Sequence, residues 1–293
     1  MTAKIGRVTQ SRGGFHSVVL TDGTELLLRA RGKLKQQSPI LVGDWVEVGE
    51  SGGTAVIERV LPRSSSLVRP PVANVELMVV VMALDDPAPD LALLDRLLLR
   101  AEQEGIAALV VFNKADLADR DRLAALAQPY RAAGYRVLVT SAQTGEGVDA
   151  LAQAIGARLA VFAGPSGVGK SSLLNRLLGE GVQEVGEVSA KTRRGRHTTR
   201  AVRLLPLREQ GWVADTPGFS QLDVQTVEPR LLPEWYPEFR PLAGRCRFTG
   251  CLHRSEPGCG VRAAVEAGAI DRGRYQRYLQ LLAEVEEAYE RRY

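Results

Sequence analysis

Gly164-Pro165-Ser166-Gly167-Val168-Gly169-Lys170-Ser171 stands between an apolar run, LAVFA, and a segment with helical spacing, SSLLNRLL. It fits G-x-x-x-x-G-K-[ST] with a strand before it and a helix after it, the setting a phosphate loop requires. The glycines let successive backbone N–H groups curl around an anion with no Cβ in the way. The start of the helix adds its partial positive charge. In this reading Lys170 reaches the β- and γ-phosphates of a nucleoside triphosphate, Ser171 ligates Mg2+, and Ser172 joins the nucleotide contacts.

The flanking sequence extends the pattern. Continuous apolar strands are expected at 75–81, 107–112, 135–140 and 158–163, and helices at 91–103, 122–133, 148–155 and 170–178. Further strands follow at 201–205 and 211–214. Such alternation predicts a parallel sheet with helices on both faces. Upstream, residues 1–61 hold five short β-like runs separated by Gly and Asp turn signals, which suits a small OB-type barrel. The PRSSSLVRPP stretch at 62–71 reads as a linker. After Phe219 the periodicity weakens into a Pro-rich aromatic stretch, a cysteine cluster and an amphipathic helix at 275–289. The expected organisation is therefore an OB-like barrel at 1–65, an α/β P-loop domain at 73–225 and a mainly helical metal-binding domain at 226–293.

Composition narrows the class. The chain has 293 residues, 25% charged and 45% hydrophobic, which fits two or three domains with ordinary cores and excludes a wholly disordered chain. No apolar run approaches the ~20 residues that span a bilayer, and the N-terminus has no apolar signal core, so a cytosolic protein is expected. Net charge is +4, distributed as +4 over 1–72, −3 over 73–239 and +3 over 240–293. Two basic ends fit a polyanionic partner or ordinary surface variation equally well.

Two further motifs end expected strands. Asn113-Lys114-Ala115-Asp116 follows 107–112, and Ser141-Ala142 follows 135–140. A carboxylate at Asp116 can accept from the ring N–H and exocyclic amine of guanine, which adenine does not offer on that edge. Lys114 would lie along the base, and the N–H groups at Ser141 and Ala142 would meet the guanine carbonyl. Asp215-Thr216-Pro217-Gly218 follows the strand at 211–214. There Asp215 can hold Mg2+ through water and Gly218 can present its N–H to the γ-phosphate. The basic stretch KTRRGRHTTRAVR at 191–203 carries six Lys/Arg and no acid, where a switch segment belongs. Thr198 or Thr199 could complete the Mg2+ shell, and His197 could orient the attacking water. Phe219 occupies the place of the water-orienting Gln of many GTPases and cannot do that work.

The set is complete but out of order: the guanine motifs precede the phosphate loop, which precedes the DTPG. Function depends on where strand ends meet in space, so a circular permutation preserves the site. It also sets the DTPG segment beside the C-terminal domain, through which nucleotide state could move that domain. All three cysteines fall in Cys246-x4-Cys251-x-His253-x5-Cys259, a closed Cys3His set with no open position, which points to one structural zinc ion.

Together GPSGVGKSSLLN, RGRHTT, DTPGF and the cysteine–histidine run containing Glu256-Pro257 resemble the RsgA (YjeQ) family of circularly permuted bacterial GTPases, over essentially the whole chain. The resemblance implies a late assembly factor that binds the 30S ribosomal subunit and its 16S rRNA and hydrolyses GTP to GDP and phosphate, stimulated by the subunit. By analogy the barrel and zinc domain grip rRNA, and the histidine matched by His197 is regarded as catalytic. Arg200 departs from the usual threonine run and leaves open which of Thr198 and Thr199 ligates Mg2+. A monomer is the default expectation. Competing readings are an RNA-binding scaffold that uses GTP only by occupancy, and an ATP-dependent enzyme whose guanine motif is accidental. Barrel residues Arg29, Arg31, Lys33 and Lys35 are candidate phosphate contacts, Phe15 a stacking platform, and Trp45 a core residue.

Overall fold

A computed structural model of the chain describes residues 4–32, 34, 39–68, 70–117, 119–179, 202–207, 211–219 and 227–292. Strands β1 (Lys4–Arg12), β2 (Phe15–Leu20), β3 (Glu25–Ala30), β4 (Trp45–Ser51) and β5 (Thr54–Val60) form an N-terminal barrel. Their order is β1-β2-β3-β5-β4, with β4 pairing back onto β1. Alternation sends Val8, Val18, Leu28, Val46, Val48 and Ile57 inward, and closure removes the exposed strand edges. Trp45 is not in that core. Val46 and Val48 take the inner positions of β4, so Trp45 lies on the other face, with the Arg7 guanidinium 4.7 Å from its ring.

The expected linker is structured. Within it β6 (Ser66–Leu67) pairs with β7 (Val72–Ala73) just beyond its end, and Leu67 and Val72 are buried in the core of the central sheet. Two apolar side chains, one on either side of Pro70-Pro71, suffice to anchor the crossing. Asn74 ties it down, donating from Nδ2 to the Gly43 carbonyl at 3.0 Å and accepting the Ser64 N–H at 2.9 Å.

The central sheet comprises β8 (Leu77–Ala83), β9 (Ala107–Asn113), β10 (Arg136–Val139), β11 (Leu159–Ala163), β12 (Arg203–Pro206) and β13 (Trp212–Phe219), in the order β10-β9-β8-β11-β13-β12. All but β12 run parallel. All seven residues of β8 are buried, because helices cover both faces, and this is why LMVVVMA shows no alternation. Helices α1 (Leu91–Gln103) and α2 (Arg120–Ala132) pack on one face, and α3 (Val148–Ile155) and α4 (Lys170–Leu178) on the other. The edge strand β12 departs from the wholly parallel expectation. Five residues separate it from β13, too few for a parallel crossover of a dozen or more, so the pair forms a hairpin. Among the described residues the barrel pairs with the sheet's β12 at Gln10 and Arg203.

The C-terminal part has two 3-10 segments (Pro229–Trp235 and Arg240–Arg245), α5 (Gly260–Glu266) and α6 (Arg272–Glu290) around the rings of Tyr236, Phe239 and Tyr278. It docks on α1. Arg274, with its side chain 3% exposed, donates to Asp95 at 2.5 Å and pairs with Glu238. Its guanidinium lies 5.1–5.5 Å from the rings of Tyr130, Tyr135 and Tyr236. Burial opposes the charge, but the carboxylates of Asp95 and Glu238 outweigh it and hold Arg274 protonated. Among the described residues no helix is long and apolar enough to cross a membrane.

Candidate functional site

Four loops leave the C-terminal ends of adjacent parallel strands, the place where open α/β sheets carry their ligands. Asn113, at the end of β9, is the hub. It is 1% exposed. Its Nδ2 donates to the Val168 carbonyl at 2.8 Å, and its Oδ1 accepts from Thr140 Oγ1 at 3.0 Å and from the Ala142 N–H at 3.2 Å. One amide thus joins the loop after β11 to the loop after β10. An aspartate could accept the same two bonds but could not donate the third.

The glycines make this closeness possible. A Cβ at Gly169 would lie 2.3 Å from Asn113 Nδ2, and φ there is +92°. A Cβ at Gly164 would lie 2.1 Å from the Val81 carbonyl oxygen. Lys170 opens α4 and donates from Nζ to the carbonyls of Gly164 at 2.8 Å and Pro165 at 2.6 Å. Partial burial lowers its pKa, as expected for an ammonium held in a cradle rather than in water.

On the base side, Asp116 sits exposed in a 3-10 turn and accepts a hydrogen bond from the buried Ser141 hydroxyl. That bond fixes the carboxylate relative to the Ser141-Ala142 loop. Lys114 holds φ +63° and donates from Nζ to the Asp86 carbonyl. Arg176, on α4, reaches the same loop, donating to the carbonyls of Ala142 at 2.8 Å and Gln143 at 2.6 Å. Sequence reading passed over Arg176. Its only signal is a basic residue in the last turn of the helix that Lys170 opens.

Asp215 is exposed on β13, directly opposite Arg203 of β12. The strand expected to end at 214 instead continues to Phe219 through a bulge. Val161 pairs with Ala214 and Ala163 with Phe219, so 215–218 stand opposite Phe162 alone. Gly218 lies in that bulge. Lys33, Lys35, His197, Thr198, Thr199 and Arg200 lie outside the described residues.

The second site is the cysteine cluster. The ligand atoms of Cys246, Cys251, His253 and Cys259 all lie within 4.8 Å of one another. A zinc tetrahedron with ~2.3 Å bonds to sulfur has edges of roughly 3.8 Å, so the four donors fit that ion after small closure. His253 Nδ1 is 3.3 Å from Cys259 Sγ and 3.6 Å from Cys246 Sγ. Backbone N–H groups of Gly260 and Arg262 point at Cys246 and Cys259 sulfur, each at 3.4 Å, an arrangement that favours thiolates. Burial and the neighbouring Cys259 push the Cys251 thiol up to about 12, a balance that a cation at the centre reverses. Glu256 sets the loop, its carboxylate accepting the N–H groups of Leu252 at 2.7 Å, Arg254 at 2.8 Å and Ser255 at 3.0 Å. Its partial desolvation raises the carboxyl, but these backbone bonds prevail and hold it below the ordinary range.

The model of the RsgA GTPase family matches residues 60–225. The chain belongs to the RsgA GTPase family. A relative from Moorella thermoacetica, the small ribosomal subunit biogenesis GTPase RsgA, is 50% identical over 282 residues, 96% of this chain and 97% of that one. The protein of the same name from Caldanaerobacter subterraneus is 44% identical over 292 residues, 98% of both. Among solved structures, YloQ, a circularly permuted GTPase, aligns with a TM-score of 0.83 at 32% identity, covering 97% of this chain and 96% of that one. YjeQ from Thermotoga maritima aligns with the same TM-score at 34% identity, covering 97% and 98%. As an RsgA-family protein the chain is a GTP-hydrolysing enzyme that takes a guanine nucleotide, on a circularly permuted fold. The shuffled order of the motifs is therefore the family's own architecture.

Proposed function

We propose that the chain is a subunit-activated GTPase of small ribosomal subunit assembly: it binds the 30S subunit through 16S rRNA, hydrolyses GTP to GDP and phosphate, and leaves. The observation that supports this reading is that Asn113 bonds the loops after β11 and β10, and Ser141 in the latter holds Asp116, so the residues read as phosphate cradle and guanine contacts lie on one sheet edge. In the proposed mechanism residues 164–172 cradle the phosphates, and Lys170 exchanges its two loop carbonyls for β- and γ-phosphate oxygens. Asp116 accepts from the guanine ring N–H and amine, Lys114 lies along the base, and the N–H groups of Ser141 and Ala142 meet its carbonyl. Mg2+, when bound, neutralises and orients the phosphates; Ser171, Asp215 and either Thr198 or Thr199 are the residues to hold it. Gly218 presents its N–H to the γ-phosphate. His197 orients the attacking water, since Phe219 cannot.

The rRNA grip is assigned to the two ends, 1–65 and 226–293, flanking a GTPase unit at 73–225. Two exposed aromatics support it. Arg29 lies 4.2 Å over the Phe15 ring on the barrel, and Arg247 lies 5.6 Å over Phe248, which is 46% exposed beside the cysteine cluster. Paired this way, a ring offers a stacking face and the guanidinium a phosphate contact. A cytoplasmic monomer fits this role. The test is phosphate release from GTP with and without purified 30S subunits, for wild type and His197→Ala. The proposal expects slow turnover alone, strong stimulation by 30S particles, and loss of that stimulation in the variant. Equal wild-type turnover with and without subunits refutes it.

A further inference from the structure

Near its start helix α6 carries a repeated dipeptide, Arg274-Tyr275-Gln276-Arg277-Tyr278. Three residues advance about five-sixths of a turn, so the arginines fall on one stripe and the tyrosines on the next. The arginine stripe faces the GTPase part. Arg274 and Arg277 donate to the two carboxylate oxygens of the buried Asp95 of α1, at 2.5 and 2.6 Å, and Arg277 also reaches the Tyr130 hydroxyl at 3.4 Å. The tyrosine stripe faces the cysteine cluster. Tyr275 Oη donates to the His253 carbonyl and Tyr278 Oη to the Leu252 carbonyl, each at 2.6 Å. His253 itself is held at φ +57°, a conformation its neighbours must enforce. Four side chains within five residues of one helix thus grip the metal-ligand loop and the first helix of the GTPase sheet at once.

We infer that this segment makes metal binding at Cys246, Cys251, His253 and Cys259 and docking of the C-terminal part on α1 a single thermodynamic unit. A bound zinc ion fixes 251–259, the fixed carbonyls hold Tyr275 and Tyr278, and the helix they hold keeps its arginines on Asp95. Linkage is reciprocal, so docking on Asp95 also strengthens metal retention. The inference rests on the zinc reading of the cluster and is independent of the GTPase reading.

The test is hydrogen exchange followed by mass spectrometry on the full chain, zinc-loaded, zinc-stripped by a chelator, and reloaded. Metal content is measured first, and a chain that takes up no zinc overturns the inference through its premise. Stripping zinc is expected to speed exchange about tenfold or more in 91–103 as well as in 251–290, with β8 unchanged and reloading restoring protection. The double variant Tyr275→Phe, Tyr278→Phe keeps its rings and its zinc. In it, 91–103 is expected to exchange faster even when loaded, and to respond only weakly to stripping. Unchanged exchange in 91–103 on stripping wild type overturns the inference. So does equal loss of protection in β8, which would make zinc a requirement of the whole fold, or a double variant that responds like wild type.

Discussion

Replacing Asn113 by Ala tests whether one amide organises the nucleotide site. The change removes a donor to the Val168 carbonyl at 2.8 Å and an acceptor for Thr140 Oγ1 at 3.0 Å and the Ala142 N–H at 3.2 Å, at a position 1% exposed. Each buried hydrogen bond contributes about 1 kcal/mol net, and a group left unsatisfied costs about 1–3 kcal/mol, so the expected destabilisation is about 3 kcal/mol or more. Two of the three bonds hold loops that the nucleotide must meet. If the order of just one is lost, about 1.4 kcal/mol passes into binding, a tenfold weaker GDP complex. Urea unfolding monitored by Trp fluorescence gives the first quantity, and titration with a fluorescent guanine nucleotide the second. Asn113→Asp separates the bonds, since it keeps the acceptors but sets a buried, unpaired carboxylate against the Val168 carbonyl. At neutral pH it should be destabilised at least as much as Asn113→Ala and lose nucleotide affinity, and it should recover stability as the pH falls and the protonated acid donates to that carbonyl. An Asn113→Ala protein within about 0.5 kcal/mol of wild type, the range of ordinary surface changes, refutes the clamp.

Other consequences are equally specific. Gly164→Ala places a methyl 2.1 Å from the Val81 carbonyl oxygen at φ +135°, so guanine-nucleotide binding should be abolished in any protein that folds, as a filter-binding assay will read. Arg274→Met leaves the buried Glu238 without its cation and Asp95 with Arg277 alone, and should cost about 3–5 kcal/mol in urea unfolding. Glu256→Ala frees three loop N–H groups without touching a metal ligand; zinc affinity, measured by chelator competition, should fall about 10–100-fold while a cobalt-substituted spectrum keeps its shape. Arg29→Ala and Phe248→Ala should each weaken rRNA binding, and wild-type binding should fall steeply with salt, as gel-shift titrations at several ionic strengths will show.

The parts legible in the sequence were those fixed by local periodicity. LLNRLL after Lys170, the uninterrupted apolar β8 and the five alternating barrel strands each declare their burial pattern within a few residues. The phosphate loop and the cysteine–histidine spacing are legible for a related reason, since their chemistry demands particular residues at short intervals. What escaped depends on partners distant in the chain. Arg274 meets Asp95 across 179 positions, and nothing near either residue signals the pairing. Asn113 reads locally as a base contact, but its bonds to Val168 and Ala142 come only with the strand order. The hairpin of β12 with β13 and the bulge at 215–218 reflect connection length and sheet register, which a run of apolar residues does not encode. Trp45 is ambiguous in the sequence because an aromatic in an alternating strand suits either face; in the structure Val46 and Val48 take the inner one.

The central claim is that segments out of their usual order converge on one pocket that reads guanine. Competition binding of GTP, ATP and xanthosine triphosphate to wild type and Asp116→Asn tests it most directly. The account predicts that GTP competes and ATP does not in wild type, and that the variant loses about tenfold or more in GTP affinity while gaining xanthosine triphosphate, whose base offers an acceptor where guanine offers an amine. Equal competition by ATP, or a variant with wild-type preferences, contradicts it.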